Sequence, residues 1–227
     1  MVALVLAGGV GSRMGRSKQF IELLGVPALL YALRAFEETS EVARIYAVGD
    51  HVRIENLAEE AGITKYVRCA PPGESRSLST RSGLSLLEED PEATVLVHDG
   101  SRCLVTSDLI RRVVSAAGDP GAHGVIPALP VSDTIKMVAG GVVLETLDRT
   151  KLYGVQTPQA FRLSVLREIH AGFEDRLHAA TDDASLVEEV GGRVLVVAGE
   201  KTNLKLTTPE DLILAEAILG ARYGVRN

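Results

Sequence analysis

The residues best suited to chemistry lie near the start of the chain, directly after a short apolar run. Segment 6–18 reads Leu-Ala-Gly-Gly-Val-Gly-Ser-Arg-Met-Gly-Arg-Ser-Lys. Its glycines allow the backbone to approach a ligand closely and to turn N–H groups towards phosphate oxygens. Arg13, Arg16 and Lys18 add positive charge to the same loop. The segment predicts a phosphate-binding loop. The alternative is a glycine-rich strand-to-helix turn with solvated basic residues.

Two common phosphate loops do not fit this segment. A Walker loop ends in Gly-Lys-Ser or Gly-Lys-Thr, whereas here Gly15 is followed by Arg16. The dinucleotide fingerprint G-x-G-x-x-G fits Gly9 and Gly11, but its third glycine position holds Met14. The loop is therefore predicted to bind phosphate in another structural setting.

A second chemical signal is the carboxylate of Asp99, which follows the apolar run 94–98. Open α/β sheets bind their ligands at the carboxyl ends of their strands. A carboxylate there can hold Mg²⁺, which also bridges phosphates. The alternative is a turn aspartate that caps its own loop. His98 is interpreted as a strand-end residue, because no second histidine is spaced to complete a transition-metal site.

Two further segments place polar residues at predicted helix starts. Segment 73–79, Gly-Glu-Ser-Arg-Ser-Leu-Ser, could contact a nucleotide base through backbone groups and Ser79, or could be a capped helix start only. In segment 203–211, Thr208 and Pro209 are typical of a helix start, but Lys205 is not needed for one. Neither a Ser-His-Asp nor a Cys-His arrangement stands out. Since phosphoryl and nucleotidyl transfer need positioning and cations more than covalent chemistry, the inventory favours such a transfer.

Short apolar runs alternate with longer amphipathic stretches along the chain, which is the pattern of βαβ units. This pattern predicts the strands and helices that carry the polar residues described above. We predict a single α/β domain over 1–227, with a Rossmann-like, mostly parallel sheet flanked by helices. A β-arm insertion is expected at about 131–152, because Asp133–Leu147 holds two β-prone runs around Gly140-Gly141. The predicted strands are Val2–Ala7, Arg44–Val48, Tyr66–Cys69, Thr94–His98, Gly124–Ala128 and Arg193–Ala198. The predicted helices are Ala28–Thr39, Val52–Ala61, Ser77–Glu89, Ser107–Ala117, Ser164–Ala171, Asp183–Val190 and Pro209–Leu219.

Composition narrows the class of protein. The formal net charge of −6 argues against a nucleic-acid partner, because such binding depends on Lys and Arg neutralising phosphates. The two cysteines, Cys69 and Cys103, form neither a zinc spacing nor a disulfide framework. The apolar start, residues 1–7, is too short to span a bilayer and lacks a preceding basic segment. We therefore expect a cytoplasmic protein with no membrane partner.

Taken in order, these segments resemble the 2-C-methyl-D-erythritol 4-phosphate cytidylyltransferases of the non-mevalonate isoprenoid pathway. The resemblance extends over nearly the whole chain. The opening loop is shared by many sugar nucleotidyltransferases. The more specific motifs are Asp133-Thr134-Ile135-Lys136, Asp148-Arg149, Gln156-Thr157-Pro158-Gln159-Ala160-Phe161 and Thr181-Asp182-Asp183-Ala184-Ser185.

The resemblance implies a role for each matching residue. Arg13 and Lys18 would stabilise the α-phosphate of CTP in the transition state, within a loop that includes Gly9 and Gly11. Asp99 would bind Mg²⁺, and Arg102 would help to hold the acceptor. The cytosine and ribose would be surrounded by Ala7, Gly8, Gly73, Glu74 and Ser79. The acceptor phosphate would be gripped by Thr134, Arg149, Thr181 and Lys205, with Arg149 and Lys205 aiming it for attack. The family is homodimeric, and its hairpin arm reaches over the neighbour's site.

Three alternatives stay open at this point. The family usually has Ala-Ala-Gly where this chain has Ala7-Gly8-Gly9, and Ala-Gly-Gly is frequent in the related ribitol-5-phosphate cytidylyltransferases. A nucleotidyltransferase that uses another base, such as the guanylyltransferase of molybdenum-cofactor synthesis, is more remote. A non-catalytic nucleotide-binding domain is the third, although such a domain would not need Arg13, Lys18 and Asp99 together.

Overall fold

The computed structural model describes residues 1–9, 17–173, 177–178 and 180–224. Two of the predicted site residues, Gly11 and Arg13, lie outside the described residues, as does Arg16. The strands are β1 (Val2–Leu6), β2 (Glu22–Leu23), β3 (Val26–Pro27), β4 (Arg44–Val48), β5 (Tyr66–Ala70), β6 (Thr94–Asp99), β7 (Gly124–Pro130), β8 (Lys136–Ala139), β9 (Val142–Thr146), β10 (Tyr153–Val155), β11 (Gln159–Arg162) and β12 (Val194–Ala198). The helices are α1 (Ala28–Glu38), α2 (His51–Glu60), α3 (Arg76–Leu84), α4 (Ser107–Ala117), α5 (Leu163–Gly172), α6 (Asp183–Glu189) and α7 (Pro209–Tyr223).

The central sheet is mostly parallel, as predicted. Strands β5, β4, β1 and β6 lie side by side and run parallel, with β1 in the middle. Strand β11 lies antiparallel between β6 and β7. Strand β10 pairs antiparallel with the end of β7, and β12 pairs parallel with β7 along its other side. Because β1 and β6 are adjacent and parallel, the loops that follow them meet at one edge of the sheet.

Helices cover both faces of the sheet, because successive side chains of a buried strand point in opposite directions. On β1, Ala3 and Val5 pack against one set of helices, α1, α2 and α4. Leu4 and Leu6 pack against the other set, α3, α5 and α6. Helix α7 adds a smaller apolar cluster through Ala215 and Leu219. The rigid two-sided core fixes the strand ends from which the site is built.

The predicted hairpin is present as β8 and β9, which form a separate two-stranded sheet. Gly140 and Gly141 connect the strands and both have positive φ, 55° and 80°. Two consecutive residues in this region are what a tight type I′ turn requires, and glycine adopts it without steric cost. We call segment 131–152 the arm.

One predicted helix is too long, and several short strands were not predicted. Helix α3 ends at Leu84, not at residue 89. The helix ends there because the N–H groups of Leu86 and Leu87 donate to the carbonyl oxygens of Gly83 and Leu84, three residues back, and so depart from the four-residue pattern of an α-helix. Strands β2, β3, β10 and β11 are two to four residues long, too short for a clear alternation in the sequence. Within the described residues, no helix is long and apolar enough to cross a membrane.

Candidate active site

A cleft of about 450 Å³ opens where the loops after β1, β5 and β6 meet. It combines backbone-rich segments with a small number of charged side chains. Glycines next to β1 and at the start of the α3 loop allow the backbone to approach a ligand closely. The lining residues are Leu6, Gly8, Gly9, Lys18, Gln19, Pro72, Gly73, Glu74, Ser75, Arg76, Ser79, Asp99, Ser101 and Lys205.

Asp99 lies at the end of β6, on the floor of this cleft, with 7% of its surface exposed. Its Oδ1 accepts a hydrogen bond from Nε of Arg76 at 2.9 Å. Its Oδ2 accepts one from Nζ of Lys205 at 2.7 Å. Burial alone would raise the pKa of this carboxyl, but the two cations outweigh it and hold the pKa well below its usual range. Asp99 is therefore a fixed negative charge between two positive ones.

Arg76 also binds a second carboxylate, that of the fully buried Asp183. Its Nη1 donates to Oδ2 of Asp183 at 2.6 Å, and Oδ1 of Asp183 lies 2.9 Å from Nε2 of His170. Burial would raise the pKa of Asp183, but Arg76 and then His170 lower it. The pKa of Arg76 is raised, because the two carboxylates outweigh the effect of its burial. We call His170, Asp183, Arg76, Asp99 and Lys205 the charge chain.

A second cavity, of about 260 Å³, adjoins the cleft on the other side of the charge chain. Three side chains line both spaces: Arg76, Asp99 and Lys205. The remaining lining residues of the second cavity are Arg102, Val155, Gln156, Thr157, Gln159, Thr181 and Asp182. We call these three side chains the partition. One ligand could therefore bind in each space, with the net positive charge of the partition between the two ligands.

Several buried polar atoms of this partition and the second cavity have no hydrogen-bond partner among the described residues. They are Nη2 of Arg76, Nε of Arg102 and Oε1 of Gln159. Buried polar groups are normally satisfied, so such atoms call for a partner that the described residues do not supply. The set contains both donors and an acceptor, which suits a ligand that carries anionic oxygens and hydroxyls.

His98 fixes the geometry of the loop that carries Asp99 and Arg102. The backbone N–H of Asp99 donates to Oγ1 of Thr157, so the hydroxyl proton of Thr157 is directed to Nδ1 of His98, 3.0 Å away. Nε2 of His98 then carries the proton and donates to the carbonyl oxygen of Arg102 at 3.1 Å. This chain of bonds requires a neutral imidazole. Complete burial supports it by lowering the pKa of His98 to about 4. His98 is a strand-end residue, as predicted, but one with a defined positioning task.

Most predicted site residues gather around the two cavities. Gly8, Gly9, Lys18, Gly73, Glu74, Ser79, Asp99 and Lys205 line the cleft, and Arg102, Thr181, Asp99 and Lys205 line the second cavity. The hydroxyl of Ser79 accepts from the N–H of Gly73 at 3.1 Å and so holds the loop before α3. Ala7 is buried beneath the cleft, where its N–H donates to the carbonyl of Val48.

Thr134 and Arg149 are not brought to these cavities. Both are exposed on the arm, and neither lines the cleft or the second cavity. Nη1 of Arg149 donates to the carbonyl oxygen of Ser132 at 2.7 Å. Within one chain, Thr134 and Arg149 therefore do not form the predicted contact with an acceptor phosphate in either cavity.

Sequence reasoning did not assign roles to Arg76, Thr157 and Asp183. Arg76 had a usable signal, since it lies three residues before Ser79 and thus on the same side of the helix that opens there. Thr157 and Asp183 lie in motifs that were recognised only by resemblance, and their hydrogen bonds depend on tertiary contacts.

Two polar residues of segment 203–211, Asn203 and Asp211, have structural tasks. Asp211 accepts from the backbone N–H groups of Thr207 and Thr208 and so caps α7. Asn203 is fully buried, and its Nδ2 donates to the carbonyl oxygen of Thr157. In the described part of the chain, no three His, Cys, Asp or Glu side chains cluster as a metal site. Mg²⁺ is often held by one carboxylate together with substrate phosphates. Among the described residues, Asp99 is the one carboxylate that lines both cavities, and each of its oxygens accepts a hydrogen bond from a cation.

The comparisons with known proteins agree with this geometry. A sequence model described as 2-C-methyl-D-erythritol 4-phosphate cytidylyltransferase matches residues 1–221. A protein of that name from Rubrobacter xylanophilus is 62% identical over 97% of this chain and 95% of its own length. Another from Geobacillus kaustophilus is 44% identical over 97% of each chain.

Solved structures show the same fold. A 4-diphosphocytidyl-2C-methyl-D-erythritol synthase from Anaerococcus prevotii superposes with a TM-score of 0.80 at 32% identity, covering 96% of this chain and 95% of that chain. A 2-C-methyl-D-erythritol 4-phosphate cytidylyltransferase from Thermus thermophilus gives a TM-score of 0.76 at 31% identity, covering 96% of this chain and 98% of that chain. The predicted α/β fold and the resemblance stated from the motifs are thereby confirmed.

Proposed function

Because this chain belongs to the 2-C-methyl-D-erythritol 4-phosphate cytidylyltransferase family, we propose that it transfers CMP from CTP to 2-C-methyl-D-erythritol 4-phosphate. The products are 4-diphosphocytidyl-2-C-methyl-D-erythritol and pyrophosphate, and the reaction is a step of non-mevalonate isoprenoid biosynthesis. One observation carries the proposal: two adjoining cavities share a partition of Arg76, Asp99 and Lys205. A transfer between two anionic substrates needs positive charge at the place where they react.

CTP occupies the larger cleft in this proposal. Its phosphates lie against Gly9 and Lys18. Its base and ribose lie near Gly8, Gly73, Glu74 and Ser79, which line the same cleft. Arg13, outside the described residues, completes the phosphate site on the basis of the family resemblance. Asp99 would hold Mg²⁺ together with the phosphates, and a divalent cation there would supply positive charge next to the leaving group.

The acceptor occupies the smaller cavity. Arg102 and Lys205 supply positive charge for its phosphate, and Thr181 and the amide of Gln159 supply polar contacts for its hydroxyls. The guanidinium of Arg102 is held by the carbonyl oxygens of Asn203 and Val155, so its orientation is set before the substrate binds. Preorganised cations of this kind need little rearrangement during the reaction.

The chemistry is a direct in-line displacement without an enzyme nucleophile. An oxygen of the acceptor phosphate attacks the α-phosphorus of CTP, and the bond between that phosphorus and the oxygen bridging to the β-phosphate breaks. The new P–O–P bond joins cytidine to the polyol, and the electron pair leaves with pyrophosphate. Lys18 and Lys205 stabilise the negative charge that builds up at the α-phosphate, and no proton has to be moved.

The working form is proposed to be a cytoplasmic homodimer in which each arm completes the acceptor site of the other protomer. The arm exposes five apolar side chains, spread over both faces of its two strands: Met137, Val138, Val142, Val143 and Leu144. So many exposed apolar side chains on one hairpin suit contact with a second chain. Because Thr134 and Arg149 lie on the arm and away from their own cavities, the partner's acceptor is the one they would contact. The free thiols of Cys69 and Cys103 suit a reducing compartment.

The test is pyrophosphate release from CTP and Mg²⁺, with 2-C-methyl-D-erythritol 4-phosphate and ribitol 5-phosphate compared as acceptors. The expected result is turnover with the first and at most a small fraction of it with the second. Preference for ribitol 5-phosphate would retain the chemistry but overturn the acceptor. Absence of pyrophosphate with either acceptor would favour a non-catalytic nucleotide-binding domain.

A further inference from the structure

Gly8 and Pro72, which both line the cleft, approach each other closely. A Cβ placed on Gly8 would lie 2.2 Å from Cβ and 3.1 Å from Cγ of Pro72. Real Cβ atoms hardly ever come closer than 3.0 Å to another heavy atom. The backbone of Gly8 does not itself require glycine, since its φ is not in the left-handed region. What forbids a side chain at position 8 is therefore the proline ring opposite it.

The contact joins two segments that are distant in the sheet. Gly8 follows β1 and Pro72 follows β5, and β4 lies between these two strands. Both residues line the cleft, next to Gly73 and Glu74. The loop after β5 is also held from its other end, where the N–H of Gly73 donates to Oγ of Ser79. The distance between Gly8 and Pro72 consequently sets how far this loop stands from the glycine-rich segment.

We propose that Gly8 and Pro72 form a matched pair that sets the width of the slot for the nucleotide base. The inference rests on the proposed function, which places the cytidine of CTP at this end of the cleft. Pro72 supplies an apolar ring face against which a planar base can pack, and Gly8 supplies the room that the ring needs. Proline also fixes its own φ, so the wall is rigid before the nucleotide arrives.

Substitutions at the two positions are predicted to weaken CTP binding by different amounts. Gly8→Ala adds a methyl group where no space exists, so the loop after β5 must move and CTP binding weakens by about tenfold or more. Pro72→Gly removes the apolar wall but creates no clash, and its loss is smaller, about threefold to fivefold. The atom of Pro72 nearest to the added methyl is Cβ, which alanine retains and glycine lacks. Rescue of Gly8→Ala therefore depends on which residue replaces the proline.

The experiment compares the dissociation constant of CTP, measured by calorimetry with Mg²⁺, and the KM for CTP in five variants. They are Gly8→Ala, Pro72→Ala, Pro72→Gly, Gly8→Ala/Pro72→Ala and Gly8→Ala/Pro72→Gly. The double variant with glycine at position 72 should bind CTP within about threefold of Pro72→Gly alone. The double variant with alanine there should remain as weak as Gly8→Ala. kcat at saturating CTP should vary much less than KM in all of them, because the pair contacts the base and not the reacting phosphates. Thermal unfolding of each variant identifies any that fail to fold.

If the wild-type protein binds CTP and the two double variants lose the same amount of affinity, the matched pair is overturned and the proposed function stays intact. Wild-type protein that binds no CTP would overturn the proposed function, and this inference with it. Additive effects of Gly8→Ala and Pro72→Gly, with no rescue, would also contradict the pairing, because independent sites combine without interaction.

Discussion

Asp183→Asn removes one negative charge from the buried end of the charge chain and keeps the shape of the side chain. Asp183 is fully buried and accepts from Arg76, His170 and Thr80, at 2.6, 2.9 and 3.4 Å. In the variant, the guanidinium of Arg76 keeps Asp99 but loses its nearest counter-charge. The change therefore tests whether the charge chain is needed to hold the partition between the two cavities in place.

The cost follows from the burial of the pair. Breaking a buried ion pair by removing one partner costs about 3–5 kcal/mol, because the remaining charge is left uncompensated. The asparagine oxygen can still accept one hydrogen bond, so we expect the lower end, about 3 kcal/mol, in the free energy of unfolding. For a chain of this size, each 1 kcal/mol corresponds to about 2–4 °C, which gives a Tm lower by roughly 6–12 °C.

The assay is urea unfolding at pH 7, with Asp182→Asn as the matched control. Asp182 is the neighbouring residue and caps α6 by accepting from the N–H of Ser185. Asparagine caps a helix about as well as aspartate, so the control should lose less than about 1 kcal/mol. Equal stability of the two variants would refute the view that the buried carboxylate anchors Arg76.

The pH dependence supplies a second readout for the same variant. The pKa of Asp183 is lower in the folded state than the unfolded value of about 3.9. Its contribution to stability is therefore present in full above about pH 4 and is lost as the pH falls below the unfolded pKa. The difference in unfolding free energy between wild type and Asp183→Asn should be full at pH 7 and should shrink in acid. A difference that grows as the pH falls would contradict the sign.

Three further predictions concern the site and the arm. Lys205→Met should lower kcat/KM for the acceptor by about 10²–10³-fold, since it removes a cation from the partition. The control Lys201→Met, at a nearby exposed lysine, should change kcat/KM by no more than about twofold. Equal losses of kcat/KM in the two variants, measured by steady-state kinetics, would contradict the assignment. Thr157→Val should cost about 1–3 kcal/mol in urea unfolding, because it leaves a buried amide and imidazole unpaired, while Thr157→Ser, which keeps the hydroxyl, should lose clearly less. Leu144→Asp should shift the protein towards monomer in analytical ultracentrifugation and reduce turnover, and Val52→Asp, an equivalent change on another exposed apolar residue, should leave the mass unchanged.

The sequence was most informative where short-range patterns determine structure. The apolar runs Val2–Ala7 and Thr94–His98 predicted the two central strands, which are observed at Val2–Leu6 and Thr94–Asp99, and Gly140-Gly141 predicted the turn of the arm. The helix start at Thr208 and Pro209 was also confirmed, and the structure adds a capping contact of Asp211 that was not predicted. In each of these cases the determining residues are neighbours in the chain.

What the sequence could not provide depends on long-range contacts. The Arg76–Asp183 pair joins residues far apart in the chain, and the His98–Thr157 hydrogen bond does the same across the sheet. The antiparallel strand β11 was missed because its four residues, beginning at Gln159, are stabilised by pairing with β6 and β7 and not by their own pattern. The close approach of Gly8 and Pro72 is likewise visible only once β1 and β5 are placed in the sheet.

The central step of the proposed reaction is attack of the acceptor phosphate on the α-phosphorus of CTP. It is tested most directly by ³¹P NMR of a completed reaction with CTP, Mg²⁺ and 2-C-methyl-D-erythritol 4-phosphate. The prediction is loss of the acceptor monophosphate signal, with equal amounts of pyrophosphate and of a new diphosphate that shows two mutually coupled resonances. Formation of CDP, together with a phosphorylated acceptor or inorganic phosphate, would place the attack at the γ-phosphorus and rule out the proposed reaction.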